Sequence, residues 1–155
     1  MQWFTLSFDQ LTTTQLYDLL KLRSDVFVVE QDCVYPDLDD KDRVAGVYHL
    51  LGYQHGKLIA YIRLLPARVT FDQPCISRVV THPKARGNGI GHRLLNQALA
   101  ECRRLWPEQG ITISAQQYLE SFYTQHGFEV SSEGYLEDGI PHIQMKRPAS
   151  EPCPA

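Results

Sequence analysis

What the sequence has little of narrows it first. No apolar run approaches the roughly 18 to 20 residues that a membrane-crossing helix needs. The opening Met1-Gln2-Trp3-Phe4 also lacks the basic stretch that leads a secretory signal. A membrane is therefore not expected as a partner. Cysteine is sparse: Cys33, Cys75, Cys102 and Cys153 are scattered, with no C-x-x-C pair. That spacing indicates neither a zinc site nor a disulfide framework, so no metal is expected, and reduced thiols fit a cytoplasmic protein. No large excess of one charge is present: 15 Lys and Arg face 18 Asp and Glu, a net of −3. A nucleic-acid partner would call for a basic patch, so none is expected. No internal repeat is visible, and the six histidines are dispersed. At 155 residues the chain is long enough for one domain with a real core, taken as residues 1–147. The tail from Pro148, with three prolines in seven residues, is expected to be disordered.

What is present is a strand, a glycine-rich turn and a helix in succession. The β-branched residues of Ser77-Arg78-Val79-Val80-Thr81 end at His82-Pro83, and Lys84-Ala85-Arg86-Gly87-Asn88-Gly89-Ile90-Gly91 follows. Then Ile90, Leu94, Leu95, Ala98, Leu99, Cys102 and Leu105 recur at spacings of three and four, the mark of an amphipathic helix. The first amides of a helix have no intrahelical partner, and its dipole places positive charge there. Glycines let an anion approach the backbone, and Arg86 adds a cation with a fork suited to phosphate oxygens. The stretch reads as a phosphate cradle. It is not a Walker A loop, since His92-Arg93 stands where Lys-Ser/Thr is needed. Nor is it a dinucleotide fingerprint, whose third glycine would fall at His92.

The rest of the chain alternates strand and helix signals. Residues 2–8 suit a short strand. Thr12, Thr13 and Thr14 offer caps for a helix carrying Leu16, Leu19, Leu20 and Phe27 and running toward Val28-Val29. An acidic segment without period follows, residues 30–42, read as a loop with room for a short second helix. Residues 48–54 and 58–65 form a hairpin around Gln54-His55-Gly56-Lys57. Residues 74–81 feed the cradle, 110–116 form a further strand, and 119–126 form a short helix ending at Gly127, a C-cap candidate. Residues 128–131 and 140–146 close the sheet as an antiparallel pair. The order implies an α/β layered fold with a mostly antiparallel sheet.

Arg86-x-x-Gly89-x-Gly91 resembles the pyrophosphate-binding motif of the GNAT superfamily of N-acetyltransferases. The likeness extends over nearly the whole chain. Residues 22–31, Cys33-Val34-Tyr35 and residues 139–145 look like the ElaA-like branch of that superfamily. The resemblance implies a fold in which the strand before the cradle and the next strand splay apart, with acetyl-coenzyme A entering the V. It implies backbone contacts from Val79, Val80 and Thr81 to the pantetheine arm. The pyrophosphate would be held by Arg86, Gly87, Asn88, Gly89, Ile90, Gly91 and His92, with Asn88 and His92 acting through their amides. Tyr35 and Gln116 would border the acceptor and acetyl region.

Acetyl transfer to an amine needs the amine neutral and the leaving thiolate protonated. A lysine-like amine of pKa about 10.4 is neutral in only about one molecule in 2,500 at pH 7. By resemblance Tyr123, in Tyr123-Thr124-Gln125-His126-Gly127-Phe128, stands where the family keeps the phenol that protonates the thiolate. Its bland alternative is a packing tyrosine. Candidate bases are Glu30, where the first helix meets the acidic segment, and His142, by its unperturbed pKa; each has a structural alternative. Glu30, Asp32, Asp37, Asp39, Asp40 and Asp42 read either as a solvated loop or as an acidic rim for a cationic amine, diluted by Lys41 and Arg43.

Three function classes remain open. The first is an N-acetyltransferase moving an acetyl group from acetyl-CoA to a primary amine of a small molecule or peptide, as monomer or homodimer. The second is an acyl-homoserine-lactone-synthase-like acyltransferase, against which the complete cradle argues. The third is a non-catalytic acyl-CoA sensor, against which Tyr123 argues.

Overall fold

A computed structural model describes residues 1–149; the expected tail falls mostly on residues 150–155, outside the described residues. The β-branched and aromatic runs become β1 (Gln2–Ser7), β2 (Tyr48–Gln54), β3 (Lys57–Leu65), β4 (Cys75–Thr81), β5 (Ile111–Gln116), β6 (Glu129–Val130), β7 (Tyr135–Glu137) and β8 (Ile140–Arg147). They form one sheet in the order β1-β2-β3-β4-β5-β8-β6, with β7 also paired to β8. All neighbours are antiparallel except β4 and β5. The expected architecture is the observed one, with β7 as an additional strand of three exposed residues.

Three helices cover the sheet: α1 (Thr13–Arg23), α2 (Ile90–Leu105) and α3 (Glu120–Thr124). Thr12 caps α1 through a reciprocal box, its hydroxyl accepting from the Gln15 amide at 3.0 Å and its own amide donating to the Gln15 side chain at 2.9 Å. The helix does not run straight to Val28-Val29 as expected. From Ser24 to Glu30 it widens into a π-helix, with the Gln31 amide donating to the Val26 carbonyl at 3.0 Å and the Cys33 amide to the Val28 carbonyl at 3.1 Å. The widened turns carry Val26, Val28 and Val29, whose branched side chains crowd an α-turn, and such turns recur at functional sites.

Each face of the sheet has its own core. On one, α2 buries Ile90, Leu94, Leu95, Ala98, Leu99 and Cys102 against Leu50, Ile62, Ile76, Ile113 and Ala115, with Tyr123 and Phe128. On the other, Leu19, Leu22, Val26 and Phe27 meet Leu51, Tyr61 and Val80. Each fully buried leucine contributes about 1.5 to 3 kcal/mol.

Two irregularities position the site. β4 and β5 pair only at Cys75 and Thr112, so the two strands part beyond that point. In β4, Tyr61 pairs with Val80 and Arg63 with Ser77, which leaves Arg78 and Val79 both opposite Ile62. This is a β-bulge, with Arg78 in the left-handed region at φ 54°. A non-glycine residue there costs on the order of 1 to 3 kcal/mol and persists only where its surroundings fix it.

The surroundings are a network of three arginines and three aspartates. Buried Arg23 donates from Nε to Asp37 at 2.9 Å, from Nη1 to Asp42 at 2.8 Å and from Nη2 to the Asp37 carbonyl at 2.9 Å. Arg63 grips Asp39 with both Nη atoms, at 2.7 and 2.9 Å, and reaches Asp42 at 3.0 Å. Arg78 Nη2 donates to the Asp37 carbonyl at 3.0 Å and lies 3.4 Å from Asp39, while its Nε stands 2.9 Å from Asp37 Oδ1. Neither the solvated loop nor the acidic rim holds at Asp37, Asp39 and Asp42: the first and last are buried, Asp39 is half-buried, and all three face inward to arginines. Asp32 and Asp40 remain exposed.

Two measurements follow. Arg23→Ala leaves two buried carboxylates short of a partner and is expected to destabilise the fold by about 3 to 5 kcal/mol, read from a denaturant midpoint. A loss under about 1 kcal/mol would mean that the network contributes little. Burial raises the Asp39 carboxyl, but hydrogen bonds and charge from Arg63, with Arg78 and the Lys41 amide, outweigh it and bring it from 3.8 to about 2. A carboxyl depressed in the folded state stabilises above its unfolded pKa, so this contribution is present above about pH 4 and is lost as pH falls toward about 2. Acid titration of the melting temperature should show that decline, and Asp39→Asn should flatten it.

Candidate active site

Parting β4 from β5 opens a slot through the sheet. It holds a cavity of about 340 Å³ whose lining comes from both faces. On the α2/α3 side stand Ile76, Val79, Ile113, Ala115, Leu119 and Tyr123, largely apolar. On the π-helix side stand Phe27, Gln31, Cys33 and Tyr35 from the first helical segment and the loop after it. Arg63, Ser77 and Arg78 of β3 and β4, Ser114 and Gln116 of β5, and Glu137, Asp138 and His142 of the last hairpin join the same lining. One wall is greasy and the other polar.

Tyr123 is held at the apolar wall by its ring. Its centroid lies 5.2 Å from Phe122 and 5.7 Å from Phe128, both edge-on. Gly127, at φ 89°, makes the turn that returns Phe128 to the core, and the Phe128 amide donates to the Tyr123 carbonyl at 3.2 Å. The hydroxyl has no hydrogen-bond partner among the described residues. Burial pushes the phenol well above its ordinary range, so it stays protonated at neutral pH.

His142, buried on β8 opposite Gln116, has Nδ1 2.7 Å from the Ile140 carbonyl. That carbonyl accepts from Nδ1, and the other ring nitrogen, Nε2, lies 3.3 Å from Glu137. Gln116 donates to the Gln31 side chain at 3.3 Å. The Tyr35 hydroxyl donates to Asp37 at 2.8 Å, and its ring underlies the Arg78 guanidinium at 5.5 Å. Tyr123, His142, Gln116, Tyr35 and Val79 thus share one cavity. Glu30 lies outside its lining, half-exposed, in an ion pair of 2.7 Å with Arg86.

The cradle sits beyond the end of β4. Val80 is buried against Tyr61 in the second core, and Thr81 pairs with Ala60. After His82 caps a single 3₁₀ turn, Gly87 (φ 97°) and Gly89 (φ 71°) take left-handed conformations, and Gly89 caps α2. A Cβ built on either would meet nothing within 4 Å, so the loop is open toward solvent. Arg86 also donates to the Thr81 carbonyl at 3.2 Å. The His92 ring pairs with His126 at 2.8 Å, which leaves its amide at the helix start. Asn88 and Ile90 border a second groove of about 350 Å³ with His55, Lys57, His82, Lys84 and Arg93, and no carboxylate lines it.

The sequence reading missed Arg63, Arg78 and Gln31 in the lining. Arg63 carried a signal: it interrupts the apolar run 58–65, and a lone charge in a buried strand requires a partner.

Residues 27–148 match the family model described as the acetyltransferase (GNAT) domain. The chain is 40% identical to protein ElaA of Escherichia coli over 147 residues, 95% of this chain and 96% of that one. The crystal structure of ElaA superposes with a TM-score of 0.89 over 94% of this chain and 98% of ElaA. An acyl-CoA N-acyltransferase from Pseudomonas aeruginosa does so equally, with a TM-score of 0.89 at 43% identity over 95% and 99% of the two chains. An aminoglycoside 6′-N-acetyltransferase solved with coenzyme A shares the fold at 14% identity, with a TM-score of 0.69 over 93% and 96%. The chain belongs to the GNAT family of acetyltransferases and is an acyltransferase enzyme of the ElaA-like kind.

Proposed function

We propose that the protein transfers an acetyl group from acetyl-CoA to a primary amine of a small molecule or peptide by direct attack on the thioester. The observation that carries this reading is the Tyr123 phenol: protonated, without a partner among the described residues, and on the wall of the slot between β4 and β5, with an open glycine cradle beyond the end of β4. The residues fit coenzyme A. Backbone amides from Gly87 to His92 would hold the pyrophosphate at the start of α2, with the Arg86 guanidinium, ion-paired to Glu30, beside them. The cationic groove next to the cradle suits an anionic ligand in a chain of net charge −3. The bound cofactor supplies an activated acetyl thioester.

The chain's own groups supply the proton transfers. His142 takes the amine's proton at Nε2, where Glu137 stabilises the imidazolium. The carbon–nitrogen bond forms, the carbon–sulfur bond breaks, and Tyr123 gives its proton to the departing sulfur. Gln116 and Gln31 offer amide groups beside the reacting carbonyl. A cavity of about 340 Å³ is near the lower end for ligand pockets, which supports a small acceptor or a chain end.

Two experiments test the reading. Gly91→Asp has ordinary room, its Cβ 3.5 Å from Phe122, and an acid in a first helical turn is otherwise stabilising. It should therefore weaken coenzyme A by about 10- to 150-fold in calorimetry without lowering the melting temperature. Unchanged affinity would remove the cradle from the account. Tyr123→Phe keeps both ring contacts and loses a hydroxyl that bonds nothing, so stability should hold while kcat falls at least about tenfold with acetyl-CoA affinity unchanged. A kcat within twofold of the parent would end the acid assignment.

A further inference from the structure

The Arg78 guanidinium is fixed on three sides and open on the fourth. Its Nη2 donates both of its bonds inward, to the Asp37 carbonyl and toward Asp39, and its Nε is buried beside Asp37 without a hydrogen-bond acceptor. The Tyr35 ring supports its plane. Nη1 has no partner among the described residues, and Arg78 lines the cavity on the β4 side of the slot. The bulge that puts Arg78 at φ 54° brings this side chain onto the polar wall. Lys41 lines the same cavity, with Nζ bonded to the Thr70 hydroxyl at 3.0 Å and no carboxylate partner among the described residues.

Asp37 and Asp39 meet Arg78 at its Nε and Nη2 and leave Nη1 unpaired, and no carboxylate among the described residues pairs with Lys41. Asp39 is gripped by both Nη atoms of Arg63, and Glu137 of β7 faces His142 of the neighbouring β8. The polar wall thus carries the cations Arg78 and Lys41, which can meet an anion, together with Glu137, Asp138 and His142, which can meet an amine. We infer that the acceptor is an amine that also carries a carboxylate, an amino-acid-like zwitterion whose carboxylate pairs with Arg78 Nη1. A guanidinium already clamped by its neighbours loses little freedom when it binds, so a charge-assisted bond there is worth more than one to a free surface side chain. This deepens the transferase reading and rests on it for the place of the amine.

The test uses matched acceptors: α- and ω-amino acids against their primary carboxamides, with acetyl-CoA turnover read by thiol release. The acid should exceed its carboxamide by about tenfold or more in kcat/KM, carried mainly by KM. Arg78→Gln should bring the pair within about threefold, and Arg78→Lys should restore part of the preference. Calorimetry of the coenzyme-A-loaded protein with the same acids and carboxamides reads the pairing without turnover, and melting curves show that the variants are folded. Arg78-dependent binding of acids with no turnover of any amine would sink the transferase reading and uphold the carboxylate site. Acids bound or turned over no better than their carboxamides, or an undiminished preference in folded Arg78→Gln, would overturn the inference.

Discussion

Six buried or half-buried charges hold the working parts of this molecule in register. Arg23 ends the first α-helix, Asp37, Asp39 and Asp42 lie on the loop after the π-helix, Arg63 is in β3 and Arg78 in β4. Each aspartate is shared between two arginines, so no single pair moves without unsettling the others. Such networks rarely add stability over a well-packed apolar core, because desolvation offsets much of the Coulombic gain. What this one contributes is position. It ties a loop without regular structure to the middle of the sheet, aligns Tyr35 through Asp37, and holds the strained backbone of Arg78 where a bulge re-aims its side chain. His49 adds a neutral brace: burial lowers its pKa, its Nε2 donates to the Asp42 carbonyl at 3.0 Å, and its Nδ1 accepts from the Tyr61 hydroxyl at 2.6 Å.

The second constraint is topological. Among the described residues β4 and β5 are the only parallel neighbours in the sheet, and a parallel pair needs a long crossover, which α2 provides. The loop that follows β4 leads into the crossover helix, so the helix's first amides come after that strand's end in the chain. Pairing that stops at Cys75 and Thr112 leaves the β5-facing edge of β4 without a strand partner among the described residues. An edge of that kind inside a protein must find other hydrogen bonds, and an extended amide-bearing ligand can supply them. One departure from regular pairing thus yields both the passage between the two faces and the backbone that can line it.

How much of this could be read from residues alone depends on distance along the chain. The cradle, α2, the hairpin of β2 and β3, and the Gly127-Phe128 turn behind Tyr123 are local, and their chemistry lies within a few residues of itself. The π-helix was not legible, because its pattern of valines also suits an ordinary helix. Nor was β7, whose three exposed residues carry no alternation. The ion network was missed for a different reason. Its partners lie 14 residues apart for Arg23 and Asp37, 24 for Arg63 and Asp39, and 41 for Arg78 and Asp37. A run of aspartates looks solvated until the arginines that bury it are known. Arg63 inside an apolar strand was the one visible half of that pairing.

The two walls of the slot are unlike, and on the proposed mechanism the difference sets which group is acid and which is base. An apolar wall disfavours the charged form of any group on it, so a phenol there remains a loaded proton donor and cannot drift to phenolate. A polar wall can accommodate a cation that forms during reaction, and Glu137 stands within 3.3 Å of the nitrogen that would bear it. Moving the base to the apolar wall would cost its function. An imidazole among Ile76, Ile113 and Leu119 would resist taking a proton, because burial penalises the cation. Acid and base need no direct contact in this arrangement: one serves the leaving sulfur from the helix side, the other the attacking nitrogen from the loop side, and the parted strands let them meet at one carbonyl.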